Sequence, residues 1–298
     1  MNVLVTGASG LIGSALCESL AASGQRVLQL RRSSAGNTAG GPVWDQKAGH
    51  IELNDTEPLY AVVHLAGAPI ARRWTDDVKR QIRDSRVNGT SLLCAGLALL
   101  AKPPQVMVCA SAIGYYGDCG DEWLAEHNAP GAGFLAEVCQ EWEAAAAPAA
   151  ALGIRVVHLR FGIVLSDKGG ALRAMLPVFK LGLGGRVGDG QSWWSWIALD
   201  DAVGVIRHAL EDDSLHGPVN AVSPKTVTNA EFTKTLGRVL YRPTILPVPR
   251  FAIEKLLGEM GRETLLASSR VLPAKLEESG FQFRFPDLEL ALRYLLGR

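Results

Sequence analysis

The chain has 298 residues, 48% hydrophobic and 20% charged, and its thirty basic residues balance thirty acidic ones. That length suits one large α/β domain or two unequal ones, and no basic excess suggests nucleic acid or an anionic membrane as a partner. No run approaches the ~20 apolar residues of a bilayer span. The expected partner is therefore a small molecule, with neither nucleic acid nor membrane, and the oligomeric state is open.

Residues Asn2 to Thr6 (NVLVT) form a short apolar run stopped by glycine, which predicts a buried parallel strand. Leu11, Ile12, Ala15, Leu16 and Leu20 then recur at helical spacing until Gly24. Between strand and helix lies TGASGLIG, with Gly7, Gly10 and Gly13 three residues apart. Glycine at the turn permits positive φ, and missing side chains let backbone N–H groups approach a pyrophosphate at the positive end of the helix. In this strand–turn–helix context, Gly7, Ser9, Gly10, Leu11, Ile12 and Gly13 are candidate dinucleotide-binding residues.

A second strand is predicted over Arg26 to Leu30, followed by Arg31, Arg32, Ser33 and Ser34. Binders of NAD usually carry a carboxylate here for the ribose 2′-hydroxyl. Two guanidinium groups and hydroxyls instead suit a 2′-phosphate, so Arg31 and Arg32 point to NADP.

Further buried strands are expected at Ala61 to Leu65, Val106 to Ala110 and Arg155 to Arg160, with helices at Thr75 to Leu100 and Phe134 to Leu152. Strand alternating with helix implies an α/β fold, a Rossmann-type doubly wound parallel sheet. After about residue 165 the alternation gives way to glycine-rich loops and a Trp-rich segment. We expect an NADP-binding domain over 1–165 and a smaller C-terminal substrate-side region over 166–298, interleaved with the first in space.

The five cysteines are scattered with no C-x-x-C, as expected of free thiols in a reducing compartment, and the six histidines lack ligand spacing, so no metal is implied. The N-terminus runs directly into a strand, from which no signal peptide and a cytoplasmic location are expected. Trp193, Trp194 and Trp196 either wall a substrate pocket or pack the smaller region.

With these motifs in place, the chain resembles the epimerase-like branch of the extended short-chain dehydrogenase/reductase superfamily. The blocks VVHLAGAPI, SAIGYYGDCGD, FLAEVCQEWEAAA, LRFGIVLSDKGGAL, LGLGGRVGDGQSWWSWIALDD and VLPAKLEESGFQF carry the resemblance nearly end to end. It implies that Leu65, Ala66 and Gly67 pass the adenosine side of the cofactor. Arg86 stands where the superfamily's N-x-x-G-T has asparagine, in reach of a cofactor phosphate or paired on the helix surface. Arg160 is implied to close over the nicotinamide end, and Ser111 to orient a substrate carbonyl or hydroxyl.

The superfamily also places a tyrosine and, four residues on, a lysine on the helix that starts near residue 134. Here those positions hold Phe134 or Leu135, then Val138 or Cys139, and Glu137, Glu141 and Glu143 supply no positive field. Without the lysine nothing lowers a tyrosine's pKa or holds the ribose. The helix therefore reads as scaffold. Tyr115 and Tyr116 are substitute acids or packed structural phenols. Two functions stay open: an NADP(H)-dependent oxidoreductase or epimerase of unidentified substrate, and an NADPH-binding sensor or interaction protein without turnover.

Overall fold

A computed structural model describes residues 1–33, 41–53 and 58–298; Ser34 lies outside them. Its first half contains strands β1 (Asn2–Thr6), β2 (Arg26–Arg32), β3 (Val43–Asp45), β4 (His50–Glu52), β5 (Ala61–His64), β6 (Val106–Ala112), β7 (Trp123–Leu124), β8 (Arg155–Phe161) and β9 (Ile163–Leu165). Helices α1 (Leu11–Ala22), α2 (Asp76–Ala98), α3 (Phe134–Ala144) and α4 (Ala147–Ala151) lie among them. The second half adds α5 (Gly170–Lys180), β10 (Trp193–Trp194), β11 (Trp196–Ala198), α6 (Leu199–Glu211), β12 (Gly217–Ala221), β13 (Val227–Thr228) and α7 (Asn229–Leu240). It closes with α8 (Arg250–Leu257), α9 (Glu259–Gly261), β14 (Arg270–Val271), α10 (Ala274–Glu278) and α11 (Leu288–Leu295).

Eight strands form one sheet in the order β12-β8-β6-β5-β1-β2-β3-β4, parallel except for the antiparallel β3–β4 edge. The chain leaves β1 toward β2 and later returns to place β5 on the opposite side. The switch point, where such sheets open a crevice, thus lies between β1 and β5 at their C-terminal ends. Val3 and Val5 of β1 pack with Leu16, Leu20, Val205 and Ile206 of α1 and α6 on one face. On the other face Leu4 and Val62 meet Leu93 and Leu97 of α2. Burial on both faces is why these strands are apolar runs rather than alternating ones.

The doubly wound α/β arrangement is the one expected, with three differences of detail. The edge pair β3–β4 has no long apolar run; it is anchored by one buried residue, Trp44. The helix expected over 134–152 is interrupted, because Pro148 lacks an N–H and its ring crowds the carbonyl four residues before it, so α3 stops and α4 restarts with proline in its first turn. And β12 with α6, from beyond residue 165, completes the main sheet and its cover. The remainder of the second half has its own core, in which Trp194 and Trp196 pack with Phe232, Leu236 and Leu292.

Fully buried His64 ties the crevice end of β1 to β5. Its Nδ1 lies 2.7 Å from Thr6 Oγ1, and its Nε2 3.1 Å from Thr90 Oγ1 on α2. Thr6 Oγ1 accepts the N–H groups of Leu65 (3.1 Å) and Ala66 (3.2 Å), and Thr90 Oγ1 donates to the Arg86 carbonyl. With Thr6 donating to Nδ1, Nε2 carries the ring proton. Burial lowers the His64 pKa from 6.5 to about 4. A histidine held neutral in the fold but free to charge when unfolded stabilises fully above pH 6.5. That stability falls as pH drops towards about 4, below which both states are protonated. The interval corresponds to about 3 kcal/mol. Urea unfolding across it should therefore show a steeper pH dependence for the wild type than for His64→Asn; parallel curves would overturn the assignment.

Candidate active site

The glycine turn is built as a phosphate cradle. Gly7 has φ +69°, and a Cβ there would lie 2.7 Å from the Leu65 carbonyl carbon, so the turn rests directly on the chain leaving β5. A Cβ at Gly13 would come 2.1 Å from the Gly7 oxygen, so helix and turn approach as only glycine permits. The Gly10 N–H donates to the Gly7 carbonyl at 2.9 Å, and Ser9 and Gly10 are exposed at the start of α1. Leu11 and Ile12 occupy its first turn, whose N–H groups have no intrahelical acceptor. This geometry fits a pyrophosphate.

Arg31 and Arg32 end β2, both exposed, and neither guanidinium meets a carboxylate among the described residues. Successive strand residues point to opposite faces, so the two arginines approach a ribose site from different sides.

Leu65, Ala66 and Gly67 form the segment that Thr6 shapes from below. Arg86 lies beneath it: Nη1 donates to the carbonyls of Ala68 and Ile82, both at 3.1 Å, and a Cβ at Gly67 would sit 3.2 Å from Arg86 Cζ. No carboxylate pairs with Arg86 among the described residues; its guanidinium stacks over the Trp142 ring at 5.0 Å, and burial lowers its pKa. The helix-surface pairing considered for it does not form among these residues. Arg86 braces the loop from inside through Nη1, with no hydrogen bond from Nε or Nη2 among the described residues.

Ser111, Tyr115, Tyr116 and Arg160 come together around a residue read as scaffold. Glu143, on α3, accepts the Ser111 hydroxyl at 2.7 Å and is clamped by Arg160 through Nε–Oε1 and Nη2–Oε2, both 2.8 Å. Arg160 is 2% exposed, and its Nη1 donates to Tyr116 Oη at 3.0 Å and to the Glu126 carbonyl at 3.3 Å. Burial alone would lower the Arg160 pKa, but the Glu143 carboxylate outweighs it and the net shift is upward. Arg160 is thus a buried strut and presents no open guanidinium to a nicotinamide.

Tyr116 is also a strut. It is fully buried, its hydroxyl lies 2.8 Å from Asn220 Oδ1, and burial raises its pKa against the opposing pull of Arg160. Tyr115 differs. Its ring lies flat against Arg160, Cζ 3.4 Å from the centroid, and edge-on to Tyr116, while its hydroxyl has no hydrogen-bond partner among the described residues. Of the two phenols, Tyr115 is the one free to meet a substrate.

On α3, Leu135, Cys139 and Glu143 recur every fourth residue and share one face. Leu135 meets Gly114, Cys139 Sγ lies 3.7 Å from the Ala112 carbonyl, and Glu143 reaches Ser111. Burial, reinforced by Glu143, raises the Cys139 pKa to about 11, so it stays a thiol. Leu135 and Cys139 thus face the end of β6, where a tyrosine and lysine would act, and the polar residue of that face lies one turn further along. The 135/139/143 spacing is visible in the sequence; that Arg160 would answer Glu143 across the fold is not. Glu263 was likewise missed: its carboxylate accepts the first N–H groups of α3, from Phe134 (3.0 Å) and Leu135 (2.8 Å). The tryptophans divide, Trp194 and Trp196 being core and Trp193 half-exposed.

A glycine turn at the switch point of a doubly wound sheet, with a serine near the end of β6 and a tyrosine just beyond it, defines a fold of the short-chain dehydrogenase/reductase type. Residues 3–221 match the NAD dependent epimerase/dehydratase family, and residues 248–295 match the family described as "Domain of unknown function (DUF1731)". The chain is 42% identical over 297 residues to Epimerase family protein MT2273 of Mycobacterium tuberculosis, covering 99% of this chain and 98% of that protein. It is 34% identical to human Epimerase family protein SDR39U1, covering all of both. The crystal structure of the human protein (isoform 2) with NADPH superposes with a TM-score of 0.89 at 32% identity over the full length of both chains. The chain belongs to the NAD dependent epimerase/dehydratase family. No helix among its described residues is long and apolar enough to cross a membrane.

Proposed function

We propose that the chain binds NADP(H) and performs hydride chemistry, as an oxidoreductase or epimerase, on a small molecule lying against Ser111 and Tyr115. One observation carries the cofactor choice: β2 ends in Arg31 and Arg32 with no carboxylate beside them among the described residues, next to a turn whose close-packed glycines fit a pyrophosphate. The human relative crystallised with NADPH supports it.

When bound, the nicotinamide supplies or accepts the hydride. The chain's own part is to hold and protonate. Ser9, Leu11 and Ile12 present backbone donors to the phosphates, Gly7, Gly10 and Gly13 keep the turn free of side chains, Leu65, Ala66 and Gly67 form the wall that Arg86 braces, and Arg31 and Arg32 address the 2′-phosphate. Ser111 is oriented by Glu143. Its hydroxyl proton points at the carboxylate, so its oxygen lone pairs face away and accept a hydrogen bond from a substrate hydroxyl. Tyr115, with its oxygen unengaged, is the proton donor for reduction of a carbonyl. Arg160, set against the tyrosine ring and locked by Glu143, fixes the position of that ring.

A second reading, an NADPH-binding sensor or interaction protein without turnover, is favoured by the same network: Glu143 occupies the serine's proton and Arg160 and Tyr116 are engaged with each other. Calorimetric titration and a carbonyl screen decide between them. NADPH is expected to bind about 10- to 150-fold more tightly than NADH, and Arg31→Ala or Arg32→Ala to remove most of that preference, since a charge-assisted phosphate contact contributes roughly 1.5 to 3 kcal/mol. Equal affinities in the wild type overturn the NADP assignment. Hydride transfer that survives in Arg31→Ala at saturating cofactor but is lost in Tyr115→Phe establishes the enzyme. No transfer with any carbonyl or nucleotide sugar establishes the sensor.

A further inference from the structure

Arg270, on β14, lies beside Trp123 of the paired strand β7, with Trp193 of β10 on its other side. Its Cζ is 3.7 Å from the Trp123 ring centroid and 3.8 Å from that of Trp193, and the two rings are 6.5 Å apart and tilted by 32°. The guanidinium is therefore sandwiched, both of its faces covered by indole. Asp121 accepts the Trp193 indole N–H at 2.8 Å and fixes that ring, while the Trp123 side chain stays 47% exposed.

Covering both faces leaves only the in-plane donor edge. Arg270 makes no ion pair or hydrogen bond through its guanidinium among the described residues, and its Nε is buried without a partner. A buried N–H of a cation left unpaired is costly, and a guanidinium partly stripped of water between two aromatic rings binds an in-plane partner more strongly than a solvated one does. The partner that matches a planar fork is an oxyanion contacted through two parallel N–H bonds.

The sandwich is tied to the candidate active site. The loop leaving Tyr116 is stitched to the chain entering β14: Ser269 Oγ donates to the Gly117 carbonyl at 2.7 Å, Ser268 Oγ to the Gly120 carbonyl at 2.6 Å, and the Ser268 N–H to Asp118 at 3.1 Å. The Trp193 N–H donates in turn to Ser268 Oγ at 2.9 Å. The loop that follows Tyr116, the chain that leads into Arg270 and the Trp193 backbone are thus held together.

We infer that Arg270, held between Trp123 and Trp193, receives a carboxylate or phosphate group of the substrate through its in-plane edge. The inference rests on the proposed function, because it assigns the anchor of the substrate whose reacting end meets Ser111 and Tyr115. The residues at 123, 193 and 270 are then specificity determinants, selecting an anionic small molecule over a neutral carbonyl.

The test is titration of the full chain with acetate and malonate in one arm and inorganic phosphate and pyrophosphate in the other, at constant low ionic strength, read by tryptophan fluorescence. At least one probe is expected to give a saturable response, and the arm in which it occurs identifies the oxyanion as carboxylate or phosphate. Its affinity should fall about tenfold or more in both Arg270→Ala and Arg270→Lys, because lysine keeps the charge but not the fork. Arg186→Ala, which removes an exposed arginine elsewhere on the second half, should leave it unchanged. No saturable response to any probe, or an unaltered response in Arg270→Ala, overturns the inference. NADPH titrated into the same proteins separates the two claims: wild type that binds NADPH but no oxyanion sinks only the anchor, whereas failure to bind NADPH sinks the proposed function.

Discussion

Replacing Arg160 with methionine is expected to destabilise the protein by about 3 to 5 kcal/mol, the cost of leaving one partner of a buried ion pair uncompensated. Arg160 is 2% exposed and holds both oxygens of Glu143, whose side chain is 14% exposed. Without it, Glu143 keeps only the Ser111 hydroxyl among these contacts, and Tyr116 loses its donor. Urea unfolding of Arg160→Met measures the loss. Glu143→Gln should be destabilising as well, since the guanidinium then lacks a counter-charge. The double variant Glu143→Gln/Arg160→Met should recover a large part of the summed loss, because no buried charge remains without its partner. Additive losses would mean that the two residues act independently and that the clamp is not the unit described.

Gly13→Ala is expected to lower NADPH affinity by more than about a hundredfold, or about 3 kcal/mol. The added Cβ would lie 2.1 Å from the Gly7 oxygen and 2.9 Å from the Gly7 carbonyl carbon, both backbone atoms of the turn itself. Relief requires moving the turn away from α1, which separates the donors that converge on the phosphates. Overpacking should also cost about 1 to 3 kcal/mol of stability. Gly24→Ala is the control. Its φ of +72° is left-handed, unlike that of Gly13, but nothing lies within 4 Å of the new Cβ, so it should cost only about 1 kcal/mol of backbone strain and leave NADPH binding untouched. Full affinity in Gly13→Ala would remove the turn from the cofactor site.

Five strands of the main sheet (β1, β2, β5, β6 and β8) and the turn were legible in the sequence because each is local, whereas β12, a short run opening on Gly217 and Pro218, was not. Buried parallel strands announce themselves as apolar runs, and the doubly wound order follows from their alternation with helices. Gly7 and Gly13 are demanded by φ and by close backbone approach within a dozen residues of chain. The loss of tyrosine and lysine from α3 could be read the same way, since it needs only the identities along one helix. The β3–β4 edge could not, because it is anchored by a single buried tryptophan and has no periodic signal.

Only tertiary structure decided what the residue one turn beyond the missing pair does. Glu143 read only as an acid on a scaffold helix until Arg160, from β8, and Ser111, from β6, closed on it from two neighbouring strands. Arg160, expected over the cofactor, is drawn inward for the same reason: a guanidinium beside a buried carboxylate is held there by electrostatics that sequence spacing does not encode. The two tyrosines, adjacent in sequence, separate into a buried strut and an open phenol because the 3₁₀ turn at 113–116 directs one towards Asn220, more than a hundred residues away. The Arg270 sandwich likewise joins three short strands from distant parts of the chain. Local backbone preference thus determined the dinucleotide frame, whereas pairing of charges and rings across long sequence separations determined the site built upon it.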